Sequence, residues 1–193
     1  MSAQEARVVA EKIGYPVAVK ILSADIAHKT ELNAIRLGLQ SGEAVEQAAN
    51  EILIDVQCAK PDAKIDGVLI QAMQKGIAEL IVGITTDPVF GPVMTVGLGG
   101  VLTEIYRDVA HRLLPVDPQV AQAMLEELKA YALLDGYRGR PLADRAAILK
   151  TIQSVSQAFE TIANIQELEI NPLLVHEVGH GASAIDALLL LKN

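Results

Sequence analysis

A β-branched run, Val17-Ala18-Val19, delivers Lys20 and then gives way to a polar loop at residues 23–31 that carries His28 and Lys29 side by side. An ammonium group at the end of a strand attracts phosphate oxygens, and a neutral imidazole is a nucleophile that can itself be phosphorylated, so this pairing suits the handling of a phosphoryl group. On chemistry alone His28 reads more readily as a solvated loop histidine. A second grouping lies near the C-terminus, where Glu169 and Asn171 stand two residues apart and so share a strand face, with Asp186 on the next predicted strand. Carboxylate, amide oxygen and carboxylate form a hard-oxygen set suited to magnesium, which keeps several waters and shares phosphate oxygens. The plainer alternative is a solvated polar face.

Two further groups are weaker. Gln71 and Glu79 flank a loop in which the backbone of Ala72 or Met73 is able to meet the edge of an adenine, with Glu79 accepting from ribose hydroxyls; a surface hairpin with a buried methionine explains the same residues. Gly97-Leu98-Gly99-Gly100 frees the backbone for a phosphate-binding loop or for a tight strand connection. His111 and Arg112 resemble a basic patch, and His176 and His180 a surface loop. Neither a Ser-His-Asp order nor an HExxH motif is present.

Composition bounds these readings. The 193 residues are 51% apolar with 3% aromatic and no Trp, which is ordinary α/β core material and enough for one domain or one domain in two lobes. A single Cys58 rules out an intrachain disulfide framework and a thiolate zinc site. The formal charge of −8 argues against nucleic acid, yet an acidic protein still binds an anionic nucleotide where local cations and a divalent metal neutralise it. No apolar stretch is long enough to span a bilayer and no signal sequence opens the chain, so a cytoplasmic protein without membrane contact is expected.

The elements that must position these groups follow from periodicity. A helix is expected over residues 3–13, ended by Gly14-Tyr15-Pro16, and a strand at 35–39 able to pair with the Lys20 strand. Ser41 caps a helix that runs to Lys60-Pro61. Strands at 68–73, 79–84 and 93–96 then succeed one another as a meander, an extended segment carrying Glu104, Asp108, His111 and Arg112 ends at Pro115, and two helices open at Asp117-Pro118 and Asp144 around the interruption GYRGRP at 136–141. Strands at 168–175 and 184–190 close the chain.

Taken together, Lys20, SADIAHKT, the pair Gln71 and Met73, GIAELIVG, DPVFGPVMTVGLGG with Glu104, and EINP with Asp186 resemble, in order and spacing, the ATP-grasp domain of ADP-forming acyl-CoA (acetyl-CoA) synthetases, relatives of the succinyl-CoA synthetase β subunit. The resemblance implies an α+β ATP-grasp fold with nucleotide between two lobes, a small lobe over residues 1–70 and a large lobe over 71–193, with the hinge near 71–73. It implies ATP or ADP and Mg2+ as ligands. Lys20, Gln71, Ala72, Met73, Glu79, Gly99 and Gly100 would bind nucleotide, and Glu169, Asn171 and Asp186 would organise the metal. His28 would be the loop histidine that carries a phosphoryl group during acyl-CoA + ADP + phosphate ⇌ acid + ATP + CoA. CoA-binding and acyl-CoA ligase domains, in the same or a partner chain, are the implied partners, and an oligomer is compatible with the apolar composition. An ATP-grasp regulatory domain of a protein lysine acetyltransferase is the second reading, since GYRGRP fits both, and a plain interaction domain the third. The sequence departs from the family in two ways. After HKT the usual Asp, hydrophobic residue and two glycines are replaced by Glu31, Leu32, Asn33 and Ala34, which removes backbone freedom from a swinging loop. The family domain also normally starts with a further strand and helix, so an incomplete small lobe, excised from a longer polypeptide, is expected.

Overall fold

The computed structural model describes residues 2–26, 29, 32–99 and 107–192. His28, Gly100 and Glu104 lie outside the described residues. The chain divides into two compact units, Met1–Gln74 and Lys75–Asn193.

The first unit begins with α1 (Ala3–Ile13), whose start is set by a capping box: the Ser2 hydroxyl accepts from the Glu5 N–H while Glu5 accepts from the Ser2 N–H at 2.7 Å. Strand β1 (Val17–Leu22) pairs antiparallel with both β2 (Ile35–Leu39) and β3 (Gly67–Ala72), giving the order β2-β1-β3. Helix α2 (Gly42–Ala59) starts at Ser41, whose side chain accepts from the Ala44 N–H. Alternation along β1 sends Val17, Val19 and Ile21 into a core with Ala6, Ala10, Val45, Ala49, Ile52, Val68 and Ile70, so α1 and α2 cover that face. The expected strand 35–39 forms, but not as a clean alternation. Its register with β1 slips between Val17 and Val19, beside Gly38 at φ +72°, and Leu37 is left 63% exposed.

In the second unit β4 (Ala78–Asp87), β5 (Gly91–Leu98) and β6 (Val109–Leu113) form the meander, and β4 also pairs with β7 (Ile165–Val175). Both β8 (Ala182–Ala184) and β9 (Ala187–Leu191) pair with β7, one after the other along its length. Helix α3 (Pro118–Glu127), capped by Asp117 with Pro at its start, is followed by the single turn α4 (Tyr131–Leu134), a 3-10 turn at Tyr137–Gly139 and the long α5 (Arg145–Thr161). Met124, Leu125, Ile148 and Ile152 from the helices meet Leu80, Val82, Ile84, Met94, Val96 and Leu173 from the sheet in one core. No helix among the described residues is long and apolar enough to cross a membrane.

Candidate functional site

In the first unit the register decides which side chains stand together. Lys20 is opposite Leu69 and Ala18 is opposite Gln71, so Lys20 and Gln71 are diagonal neighbours on the sheet face turned away from α1 and α2. Lys20 is only 5% exposed. A lysine inside a strand whose neighbours are aliphatic brings a hydrogen-bonding cation to a water-poor position, where its attraction for an anion is strongest.

The next step concerns the backbone. The Met73 N–H donates to the Pro16 carbonyl at 3.0 Å, so Met73 cannot offer that donor to a ligand. Antiparallel pairing alternates, and with residues 73, 71 and 69 turned toward β1 the N–H and C=O of Ala72 point the other way. That side is the outer edge of the sheet, where no strand pairs with β3 among the described residues. Of the two backbone positions the sequence singles out, Ala72 is thus the one with groups directed to open space, and Met73 contributes a partly exposed thioether.

The loop after Lys20 also carries an answer to the missing glycines. Asn33 adopts φ +51°, a left-handed conformation that Asn tolerates better than other side-chain-bearing residues, at the first of the two positions where the resembled family has glycine. Ala34, at the second, is fully buried; its N–H donates to the Lys29 carbonyl and its own carbonyl accepts from Ile21, both at 2.9 Å. Asn33 thus adopts a left-handed conformation without being glycine. His28 itself lies outside the described residues.

In the second unit the C-terminal oxygen set is aligned by the β7–β9 register, carried one step beyond the end of β9. The Asn171 N–H donates to the Asp186 carbonyl at 3.1 Å, extending the register in which Ile170 faces Ala187 and Glu169 faces Leu188. Asn171 and Asp186 are thereby opposite one another, with Cα atoms about 5.5 Å apart in such a pair, and Glu169 follows two residues along. Asp186 is not within a strand, as expected from sequence, but in the connection between β8 and β9; its Oδ1 accepts from the Ala187 N–H at 3.0 Å. The reason lies opposite it. On the side facing β4, residues 171 and 172 of β7 stand against the single residue 81, and Pro172 has no N–H for a ladder, so strand pairing is interrupted there. Two carboxylates and an amide oxygen at such an interruption fit a magnesium ion that completes its shell with water and phosphate oxygens. Among the described residues no three His, Cys, Asp or Glu side chains form a metal cage of their own.

Gly83 is a residue that the sequence reading passed over. It pairs with Glu169, and a Cβ there would lie 3.2 Å from the Leu168 carbonyl oxygen and 3.3 Å from Glu169 Cα. A glycine inside an apolar strand run is the signal that would have marked this close approach.

The glycine-rich stretch resolves differently. A Cβ on Gly97 would stand 2.5 Å from Val109 Cγ1, and one on Gly99 2.8 Å from the Leu80 carbonyl carbon. The Gly99 N–H donates to the Glu79 carbonyl at 2.7 Å, so it is not a donor for phosphate. Tight packing of β4, β5 and β6 accounts for both described glycines, which corrects the phosphate-loop reading at Gly99; Gly100 lies outside the described residues. Glu79 keeps an exposed position at the start of β4. The suggested basic patch is also neutralised, with Arg112 paired to Glu127 at 2.6 Å and His111 Nδ1 2.9 Å from the Thr95 hydroxyl.

An ATP-grasp model, described as ATP-grasp domain, matches residues 1–191. The chain belongs to this family. The subunit beta of acetate–CoA ligase [ADP-forming] II from Pyrococcus furiosus is 40% identical over 98% of this chain and 80% of its own length. Acetate–CoA ligase [ADP-forming] I of Archaeoglobus fulgidus is 41% identical over 91% of this chain but only 26% of its own length, so the chain corresponds to one part of that ligase. Among solved structures, acetyl-coenzyme A synthetase 1 of Ca. Korarchaeum cryptofilum in complex with coenzyme A, Ca-AMPCP and HgCl+ superposes with a TM-score of 0.85 at 36% identity, covering 99% of this chain and 82% of that one. A further complex of that protein holds coenzyme A and Mg-AMPPCP, with a phosphohistidine segment pointing towards the nucleotide binding site; it matches with a TM-score of 0.76 at 33% identity, covering 98% of this chain and 83% of that one. These relatives are ligases, and nothing in them supports the acetyltransferase reading.

Proposed function

We propose that this chain is the nucleotide-handling part of an ADP-forming acyl-CoA synthetase, binding ATP or ADP with Mg2+ and exchanging a phosphoryl group with a phosphohistidine. The observation that carries the reading is the register that sets Asn171 opposite Asp186, with Glu169 two residues along, in a chain that also holds a buried strand lysine, Lys20, and whose relatives are ADP-forming ligases. Lys20 would contact nucleotide phosphates, with Gln71 beside it on the same face. The backbone of Ala72 would meet the base, Met73 would cover it, and Glu79 would accept from the ribose. Glu169, Asn171 and Asp186 would hold Mg2+, which when bound neutralises phosphate charge.

His28 would be the carrier: in the direction of ATP synthesis its phosphoryl group passes to the β-phosphate of ADP, the N–P bond breaking as the O–P bond forms. CoA-binding and acyl-CoA ligase domains, in the same or a partner chain, would supply the acyl chemistry, and a cytoplasmic location fits those substrates. Calorimetric titration of Mg-ATP into the 193-residue chain tests the nucleotide reading. Saturable binding that weakens in Lys20→Ala and in Asp186→Asn is expected. Unchanged affinity in both variants overturns the assignment.

A further inference from the structure

Most guanidinium groups in the described residues are spent on carboxylates. Arg7 pairs with Glu11, Glu43 and Glu46, Arg36 with Asp55, Arg112 with Glu127 and Arg145 with Asp135. In a chain of formal charge −8 that is the expected economy. Arg140, in the second unit, is one of the exceptions, and it shares its surroundings with a lysine. A cavity of about 560 Å³ is lined by Lys75, Gly76, Ile77, Arg140, Pro141, His176, Glu177 and His180. Neither Lys75 nor Arg140 makes an ion pair there; the Arg140 guanidinium donates only to the Ile77 carbonyl, at 3.2 Å.

The walls are held by hydrogen bonds from three separate stretches of chain. The Ile77 N–H donates to the Val175 carbonyl at 2.7 Å, and Gly76 lies so close beneath that a Cβ would stand 2.6 Å from that same oxygen. The hairpin between β7 and β8 is fastened to the start of α5: Asp144 donates its N–H to the His176 carbonyl, and its Oδ2 accepts from Gly179 and Gly181, all at 2.9 Å. The Val178 N–H donates to the Leu142 carbonyl at 3.0 Å. His176 Nε2 is oriented by the Ser183 hydroxyl at 2.9 Å. Two permanent cations and two imidazoles therefore face one cavity on a frame fixed before any ligand arrives, with Glu177 as the one carboxylate in its wall.

We propose that this cavity is a second anion site, binding a phosphate dianion either free or as the end of a small phosphomonoester. It is separate from the magnesium set: His176 lies five residues beyond Asn171 along β7, about 17 Å at strand rise. A forked guanidinium with a lysine and two imidazole donors matches tetrahedral oxygens, and Glu177 suits a hydroxyl on the carrier of the phosphate. The arginine is that of the GYRGRP segment, to which the nucleotide reading gives no task. The inference stands whether or not that reading does.

The test is an NMR titration of the 193-residue chain, following ring signals of the four histidines while inorganic phosphate, ribose 5-phosphate or Mg-ATP is added. Saturable shifts of His176 and His180, with His111 unmoved, are expected for the phosphate ligands. Equal affinity for the two points to free phosphate as the occupant, and tighter binding of ribose 5-phosphate to a monoester. Arg140→Gln should weaken binding about tenfold or more and Lys75→Gln by less, each with wild-type Mg-ATP affinity and unchanged circular dichroism. Absence of saturation, or equal binding in both variants, overturns the proposal. So does competition between Mg-ATP and phosphate for the same His176 and His180 shifts, which would make the cavity part of the nucleotide site.

Discussion

The two units present their candidate ligands by opposite means. In the first, Lys20 and Gln71 stand diagonally across the fully paired β1–β3 ladder, so their placement follows from its unbroken alternation. In the second, Asn171 and Asp186 meet where the pairing of β7 with β4 is interrupted, and elsewhere in the unit two aspartates tie down backbone outside the ladder. Asp108 accepts from the N–H groups of Lys129 and Ala130, and Asp144 from those of Ala147, Gly179 and Gly181. A regular strand gives a rigid mount for a single charge. An irregular stretch of one can carry several oxygen groups side by side, but without a full ladder to hold it.

The largest effect expected from this contrast is on ligand affinity in the first unit. Lys20→Ala should weaken Mg-ATP binding about a hundredfold in calorimetric titration, while the sheet around it stays folded, as read from its amide NMR spectrum. Collapse of the β1 amides in the variant would show that Lys20 is structural and remove the idea of a rigid mount. Next comes stability in the second unit. Asp144→Ala removes the α5 cap and both hairpin bonds and should cost about 2 kcal/mol in urea unfolding, whereas Asp144→Asn, which keeps a capping oxygen, should cost less.

Acidification probes the same residue. The N–H of Gly181 first, then that of Ala147, holds the Asp144 carboxyl below its usual 3.8, so these bonds contribute fully above that value. They are lost as pH falls through the lowered folded-state value, and the acid limb of the wild-type unfolding curve should be steeper than that of Asp144→Asn. Equal slopes would remove Asp144 from the acid response. Asp186→Asn should weaken Mg-ATP binding about tenfold yet leave the weaker binding measured in EDTA unaltered. A smaller effect is expected at Asn33: with glycine there the left-handed conformation is relieved but the unfolded chain gains freedom, so thermal unfolding should shift by less than about 1 kcal/mol.

Much of this arrangement is legible in the sequence because it depends on period and capping. The alternation through Val17, Val19 and Ile21, the Ser41 cap, the Asp117-Pro118 start and the Asp144 cap all specify local geometry from adjacent residue types. What escapes is set by contacts distant in sequence. Whether Gly99 faces a phosphate or the back of Leu80 depends on how β5 returns along β4. That the Met73 N–H is consumed by Pro16 follows from a pairing across more than fifty residues, and Asp186 falls outside its expected strand beside Pro172, which has no N–H to give to a ladder. Asn33 misleads for another reason. Its type does not announce a positive φ, yet it takes a left-handed conformation that glycine adopts readily.

The hairpin at 176–181 looks from its exposure like a loop that moves by itself, but Asp144 makes the start of α5 and this hairpin share a single carboxylate. Hydrogen exchange at Gly179, Gly181 and Ala147 should then speed up together when the Asp144 carboxylate is removed. Surface position and solvent accessibility are thus poor guides to what fluctuates here: the turn behaves as an outlying part of the helix that holds it.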